Sequence, residues 1–84
     1  MYYVYLLRNP TGRFVYIGYT ADLKRRVSEH QSSTRHRGWR LVYYEAYRDE
    51  RDARVRERKL KQYGASLGRL KKRIHHSLEL ERAG

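Results

Sequence analysis

The sequence predicts a small α+β domain in which a three-stranded, mainly antiparallel sheet is flanked by three helices. Three observations carry this. Tyr2 to Leu7 is apolar or aromatic at every position, as suits a central strand covered on both faces. Two more β-rich runs, Phe14 to Tyr19 and Trp39 to Tyr47, lie on either side of a stretch with helical spacing. From Asp49 onward the apolar residues recur at helical intervals. At 84 residues the chain has room for one domain, residues 1–84, with a small core.

Each element has a local cause. Asn9-Pro10-Thr11-Gly12 supplies the turn after the first strand, because Pro10 presets its φ and Gly12 tolerates a positive one. Gly18, near the end of the second strand, leaves its backbone open to close approach, for instance by a phosphate. Thr20 or Asp22 can cap the first helix. On its wheel Leu23 and Val27 define the buried direction, Arg26 and His30 flank that stripe, and Arg25 points away. Ser32 to Gly38 is a polar, basic loop before the third strand. Asp49 caps a second helix expected to reach Tyr63, with Gly64 in the left-handed position that ends many helices. Ala53, Leu60 and Tyr63 mark its inner side. A third helix, Ser66 to Leu78, aligns Leu67, Leu70, Ile74 and Leu78, and Glu79 to Gly84 is expected to fray.

Charge narrows the function. Lys and Arg number 20 against 9 Asp and Glu, a formal +11 that repels itself and suits a polyanionic partner. Nucleic acid is the first candidate. The basic residues are spread over the helices, so the folded body itself carries the positive surface. The candidate phosphate contacts are Gly18, Lys24, Arg35, Arg37, Arg54, Arg58 and Lys61. Without cysteine there is no disulfide, thiolate zinc ligand or cysteine nucleophile, and a reducing compartment is expected. Met1 to Leu7 has no basic leader and runs straight into Arg8-Asn9-Pro10, so neither a signal peptide nor a membrane span is expected. The reading is a cytoplasmic protein with no membrane partner.

The chemistry concentrates in a few side chains. Tyr5 and Tyr16 fall at matching points of neighbouring strands, and the first helix brings Arg26 and His30 within reach of them. Most of the nine tyrosines reflect β propensity, including Tyr2, Tyr43, Tyr44 and Tyr47. Glu57 sits between Ala53 and Leu60 on an apolar helix face, where a charge must be paired or bind a cation. Two readings stay open: an ion pair with Arg26, Lys61 or Arg56, or a single ligand for a hard cation such as Mg²⁺. A phenol is ionised in only roughly 0.1% of molecules at pH 7, so a tyrosine base needs cations nearby. His30 can position a water, bond a phosphate, assist proton transfer or serve the structure alone. His36, His75 and His76 have no metal-ligand spacing, and no zinc site is expected.

Tyr3-Val4-Tyr5, Tyr16-Ile17-Gly18-Tyr19-Thr20, Asp22 to Arg26 with His30, Trp39 to Tyr43, and Ala53 through Glu57 to Lys61 together resemble the GIY-YIG nuclease family, in order and across nearly the whole chain. The first triplet opens with Tyr3 in place of the family's glycine. The asparagine that some members place after the glutamate has no counterpart. The resemblance implies a small stand-alone nuclease that uses Mg²⁺, with Mn²⁺ as a substitute, and hydrolyses phosphodiesters in structured or damaged DNA. It implies Tyr5 or Tyr16 as general base or water-orienting hydroxyl, Arg26 as phosphate binder, Glu57 as metal ligand and His30 as an accessory group. Family members usually add a separate domain for target choice, which implies a protein partner here. The competing reading is a non-catalytic nucleic-acid-binding module on the same fold.

Overall fold

The computed structural model describes the backbone of residues 1–83, with side chains as far as Glu79. Strands β1 (Tyr2–Arg8), β2 (Val15–Thr20) and β3 (Arg40–Tyr47) form one antiparallel sheet in the order β2-β1-β3. The strand with no polar face is the central one, as expected. Helix α1 (Leu23–Ser32) joins β2 to β3, and α2 (Glu50–Gln62), α3 (Gly64–Arg73) and α4 (His75–Ala83) follow.

Alternation along β1 separates two environments. Val4 and Leu6 point into the main core, where they meet Ile17, Ala53, Leu60 and Leu70 from β2, α2 and α3, and Ile74 from the junction after α3. Tyr3, Tyr5 and Leu7 point to the other face. The turn after β1 closes with the Gly12 N–H donating to the Asn9 carbonyl at 2.9 Å, and Gly12 takes φ +77°. Arg8 then donates to the carbonyls of Gly12 and Leu78, tying that turn to α4. No helix among the described residues is long and apolar enough to cross a membrane.

Tertiary packing changed several local expectations. Among the described residues four helices flank the sheet, not three, because Ile74 leaves helical geometry at φ −108° and ψ 25° and divides the predicted third helix into α3 and α4. The break keeps Ile74 buried while Leu78 still packs on the core. Gly64 opens α3 with no positive φ; Tyr63, extended at φ −114° and ψ 102°, ends α2 instead. Tyr63 itself is exposed, not inward. In α1 the buried residue is His30, whereas Leu23 and Val27 are only half-buried, because the helix rests its last turn on the sheet. Helical backbone continues through Ala83, where fraying was expected, and Gly84 lies outside the described residues.

Beneath the main core lies a polar network that the sequence did not reveal. Glu45 on β3 accepts from Arg56 at 3.0 Å and from the hydroxyls of Tyr43 and Tyr47. Burial alone would raise the Glu45 pKa, but Arg56, Tyr47 and Tyr43 together hold it below the usual carboxylate value. Burial and the Glu45 charge push the Tyr47 phenol up to about 12. These tyrosines are hydrogen-bonding structural parts as well as strand formers.

Candidate active site

Gly18 determines where Tyr5 lies. The register of β1 and β2 sets the two residues opposite each other, and a Cβ on Gly18 would stand 2.3 Å from both Cζ and Oη of Tyr5. The space expected for a phosphate therefore holds the Tyr5 ring, and Gly18 seats a phenol. Tyr16 pairs with Leu7, two residues along, so the tyrosines are diagonal neighbours and not matched partners as expected. Their ring centroids are 6.3 Å apart.

Above them sits the end of α1. The Asp22 carboxylate caps this helix by accepting from the Arg25 N–H, which sets its start and so places His30 in the last turn. His30 Nε2 is 2.8 Å from the buried Tyr5 hydroxyl, and its Nδ1 is 3.2 Å from Nδ1 of His36. Both ring nitrogens thus have protein partners. Two roles left open for His30, positioning a water and bonding a phosphate, do not fit that arrangement. Proton transfer and orientation do.

Tyr16 closes the group. Its ring lies 5.0 Å from that of His30 and 4.8 Å from that of His36, which in turn meets Trp39 at 5.1 Å. A cleft of about 320 Å³ opens here, lined by Tyr16, Arg26, Glu29, His30, Ser33, Arg35 and His36. His36 and Trp39 were not singled out for this site. The available signal was Gly38, since a glycine two residues after His36 permits the turn that brings that loop back.

Burial raises the Tyr5 pKa, with the Arg26 guanidinium opposing that rise and the charges of Tyr16 and Glu57 adding to it. His30 is lowered, first by burial and then by Arg26 and His36, so the neutral imidazole is the resting form. Arg26 faces Tyr5 and also donates to Glu29 at 3.2 Å, while Arg25 is the more exposed of the pair.

The structure brings Tyr5, Tyr16, Arg26 and His30 together. Glu57 lies in a separate groove of about 320 Å³ with Arg54, Arg58, Lys61 and Gln62, close enough for its charge to act on Tyr5. Its side chain is 20% exposed and takes a 3.0 Å ion pair from Lys61. Of the other phosphate-contact candidates, Arg35 lines the cleft and Arg37 is exposed in the same loop. Arg54 stacks over Tyr19 at 4.4 Å, and Lys24 borders an aromatic hollow with Tyr3, Leu41 and Tyr44.

Glu57 supplies one hard oxygen donor of the kind a divalent ion takes, and the cationic side chains around it suit phosphate oxygens. Contrary to expectation, His75, His76 and Glu79 on exposed α4 also bring their ligand atoms within 4.8 Å of one another. Glu79 bridges both imidazoles there.

A three-stranded α+β domain with a tyrosine, arginine and histidine centre and a nearby carboxylate defines a class of protein equipped for phosphodiester chemistry. A family model described as the GIY-YIG catalytic domain matches residues 1–73, and the chain belongs to that family. It is a nuclease domain, a phosphodiester hydrolase whose substrate is nucleic acid. Nucleases of this family generally use a divalent metal. Neither the curated proteins nor the solved structures gave a match.

Proposed function

We propose that the chain is a divalent-metal-dependent endonuclease or nickase that cuts structured or damaged DNA, with Mg²⁺ as its ordinary ion and Mn²⁺ as a substitute. The observation that carries this reading is the convergence of Tyr16, Arg26 and His30 on one cleft above buried Tyr5. Glu57 is the residue that would hold the ion, and the cationic side chains of its groove suit the phosphate whose oxygens the ion would share. When bound, such an ion supplies charge neutralisation to the phosphoryl oxygens.

The chain's own residues divide the remaining work. Arg26 binds the non-bridging oxygens of the scissile phosphate and stabilises the charge that grows there. Tyr16, the tyrosine that lines the cleft, orients the attacking water or takes its proton. Tyr5 is fully enclosed and its pKa is raised, so it stays protonated and acts by holding His30. Lys24, Arg35, Arg37, Arg54, Arg58 and Lys61 contact neighbouring phosphates, and a protein partner directs the target choice.

The test is incubation of purified protein with labelled duplex, nicked, branched and single-stranded DNA and RNA, in Mg²⁺, Mn²⁺ or EDTA. Cleavage with either ion is expected, abolished by EDTA and strongly reduced in Tyr16→Phe and Arg26→Ala. Cleavage that persists in EDTA would overturn the metal requirement, and preference for RNA would overturn the substrate.

A further inference from the structure

We propose that His36, on the loop between α1 and β3, is a positioning residue for cleavage: it holds His30 in the tautomer that accepts from Tyr5 and braces Tyr16 at the cleft mouth. This rests on the nuclease reading. The hydrogens can be assigned by elimination. Arg26, which has only donors, faces the Tyr5 hydroxyl, so the hydroxyl hydrogen is directed at His30 Nε2, 2.8 Å away. A neutral imidazole carries one hydrogen, so His30 bears it on Nδ1 and donates to His36 Nδ1 at 3.2 Å. His36 must then keep its own hydrogen on Nε2. The bonds run one way, from Tyr5 through His30 to His36.

The loop is built to present that acceptor. The Trp39 N–H donates to the His36 carbonyl at 3.1 Å, and Gly38 takes φ +81°, the left-handed geometry that a type II turn requires at its third residue. Trp39 and Tyr16 both pack against the His36 ring, at 5.1 and 4.8 Å. Removing the acceptor leaves a buried N–H of His30 without a partner. The ring can then adopt the other tautomer, whose Nε2–H opposes the Tyr5 hydroxyl.

The groups facing the two histidines are Tyr5, Tyr16, Arg26, Glu29 and Arg35. A proton on His30 puts a hydrogen on Nε2, where the Tyr5 hydroxyl needs an acceptor, so the relay breaks on the acid side. His36 also opposes protonation of His30, and its removal moves the His30 titration to higher pH.

The test compares His36→Phe, which keeps the ring contacts without the acceptor, with His36→Asn, whose Oδ1 accepts near the Nδ1 position. For His36→Phe, kcat should fall on the order of tenfold or more with KM little changed, and the acid limb of the kcat profile should move to higher pH. The ¹⁵N shifts of the His30 imidazole should leave the Nδ1–H pattern. His36→Asn should recover part of the rate and restore that pattern. Unchanged kcat and pH profile in His36→Phe would overturn the proposal, as would a loss that follows melting temperature alone with His30 shifts unaltered. Should the wild type cleave nothing, the nuclease reading fails by itself, and the His30 shifts in wild type and His36→Phe still decide the positioning.

Discussion

Gly18→Ala measures how tightly the site is seated. The added Cβ would meet Tyr5 Cζ and Oη at 2.3 Å and Cε1 at 2.8 Å, against about 3.5–4.0 Å for an ordinary contact. The phenol must shift by more than about 1 Å to clear that contact. Tyr5 is 0% exposed, so the shift meets packed neighbours on every side. Overpacking of this kind costs about 1–3 kcal/mol, and the disrupted Tyr5 to His30 hydrogen bond adds about 0.5–1.5 kcal/mol. In a domain of this size each kcal/mol lowers the melting temperature by roughly 4–8 °C, so a fall of roughly 10–30 °C is expected by calorimetry or circular dichroism. Gly64→Ala is the control, because nothing lies within 4 Å of its added Cβ. Tyr5→Phe should not rescue Gly18→Ala, since Cζ and Cε1 remain, whereas Tyr5→Leu removes all three clashing atoms and should make the double variant less damaged than the sum. A Gly18→Ala protein that melts within about 2 °C of wild type would refute the steric reasoning.

Glu57→Gln should abolish metal-dependent cleavage yet barely change stability, since its ion pair is with Lys61, 48% exposed, and such pairs contribute under about 1 kcal/mol. A large drop in melting temperature with cleavage retained would remove Glu57 from the metal site. Glu45→Gln should cost about 1–3 kcal/mol at neutral pH, because it removes the charge that Arg56 pairs with and turns one of the two oxygens shared by Arg56, Tyr43 and Tyr47 into an NH2 donor. The Glu45 pKa is held below its ordinary 4.5, so its contribution is present above that pH and lost as pH falls through the folded value. Stability measured against pH should therefore decline in wild type below pH 4.5 and decline less in Glu45→Gln, and parallel curves would contradict the network. With a formal +11, DNA affinity should fall by orders of magnitude between about 50 and 200 mM salt in a filter-binding or fluorescence titration, and a flat response would exclude phosphate contacts as its source.

The sequence alone determined the fold class and the central strand, because those follow from local patterns. A run apolar on both faces from Tyr2 to Leu7 has one comfortable place in a small sheet, and Asp22 and Asp49 are caps wherever their helices lie. The ordered motifs pointed to the nuclease family, and wheel positions separated Arg26 from Arg25. What distance along the chain conceals was decided by tertiary structure. Pairing register, not motif spacing, made Tyr5 and Tyr16 diagonal and put the Tyr5 ring over Gly18. A turn at Gly38 carried His36 onto His30, a contact that no periodicity encodes. The partner of Glu57 was likewise open among Arg26, Lys61 and Arg56 until packing assigned Arg56 to Glu45 and left Lys61, one turn away, to Glu57. Hydrogen bonds and charges act over a few ångströms in space, and only the folded chain sets which side chains stand that close.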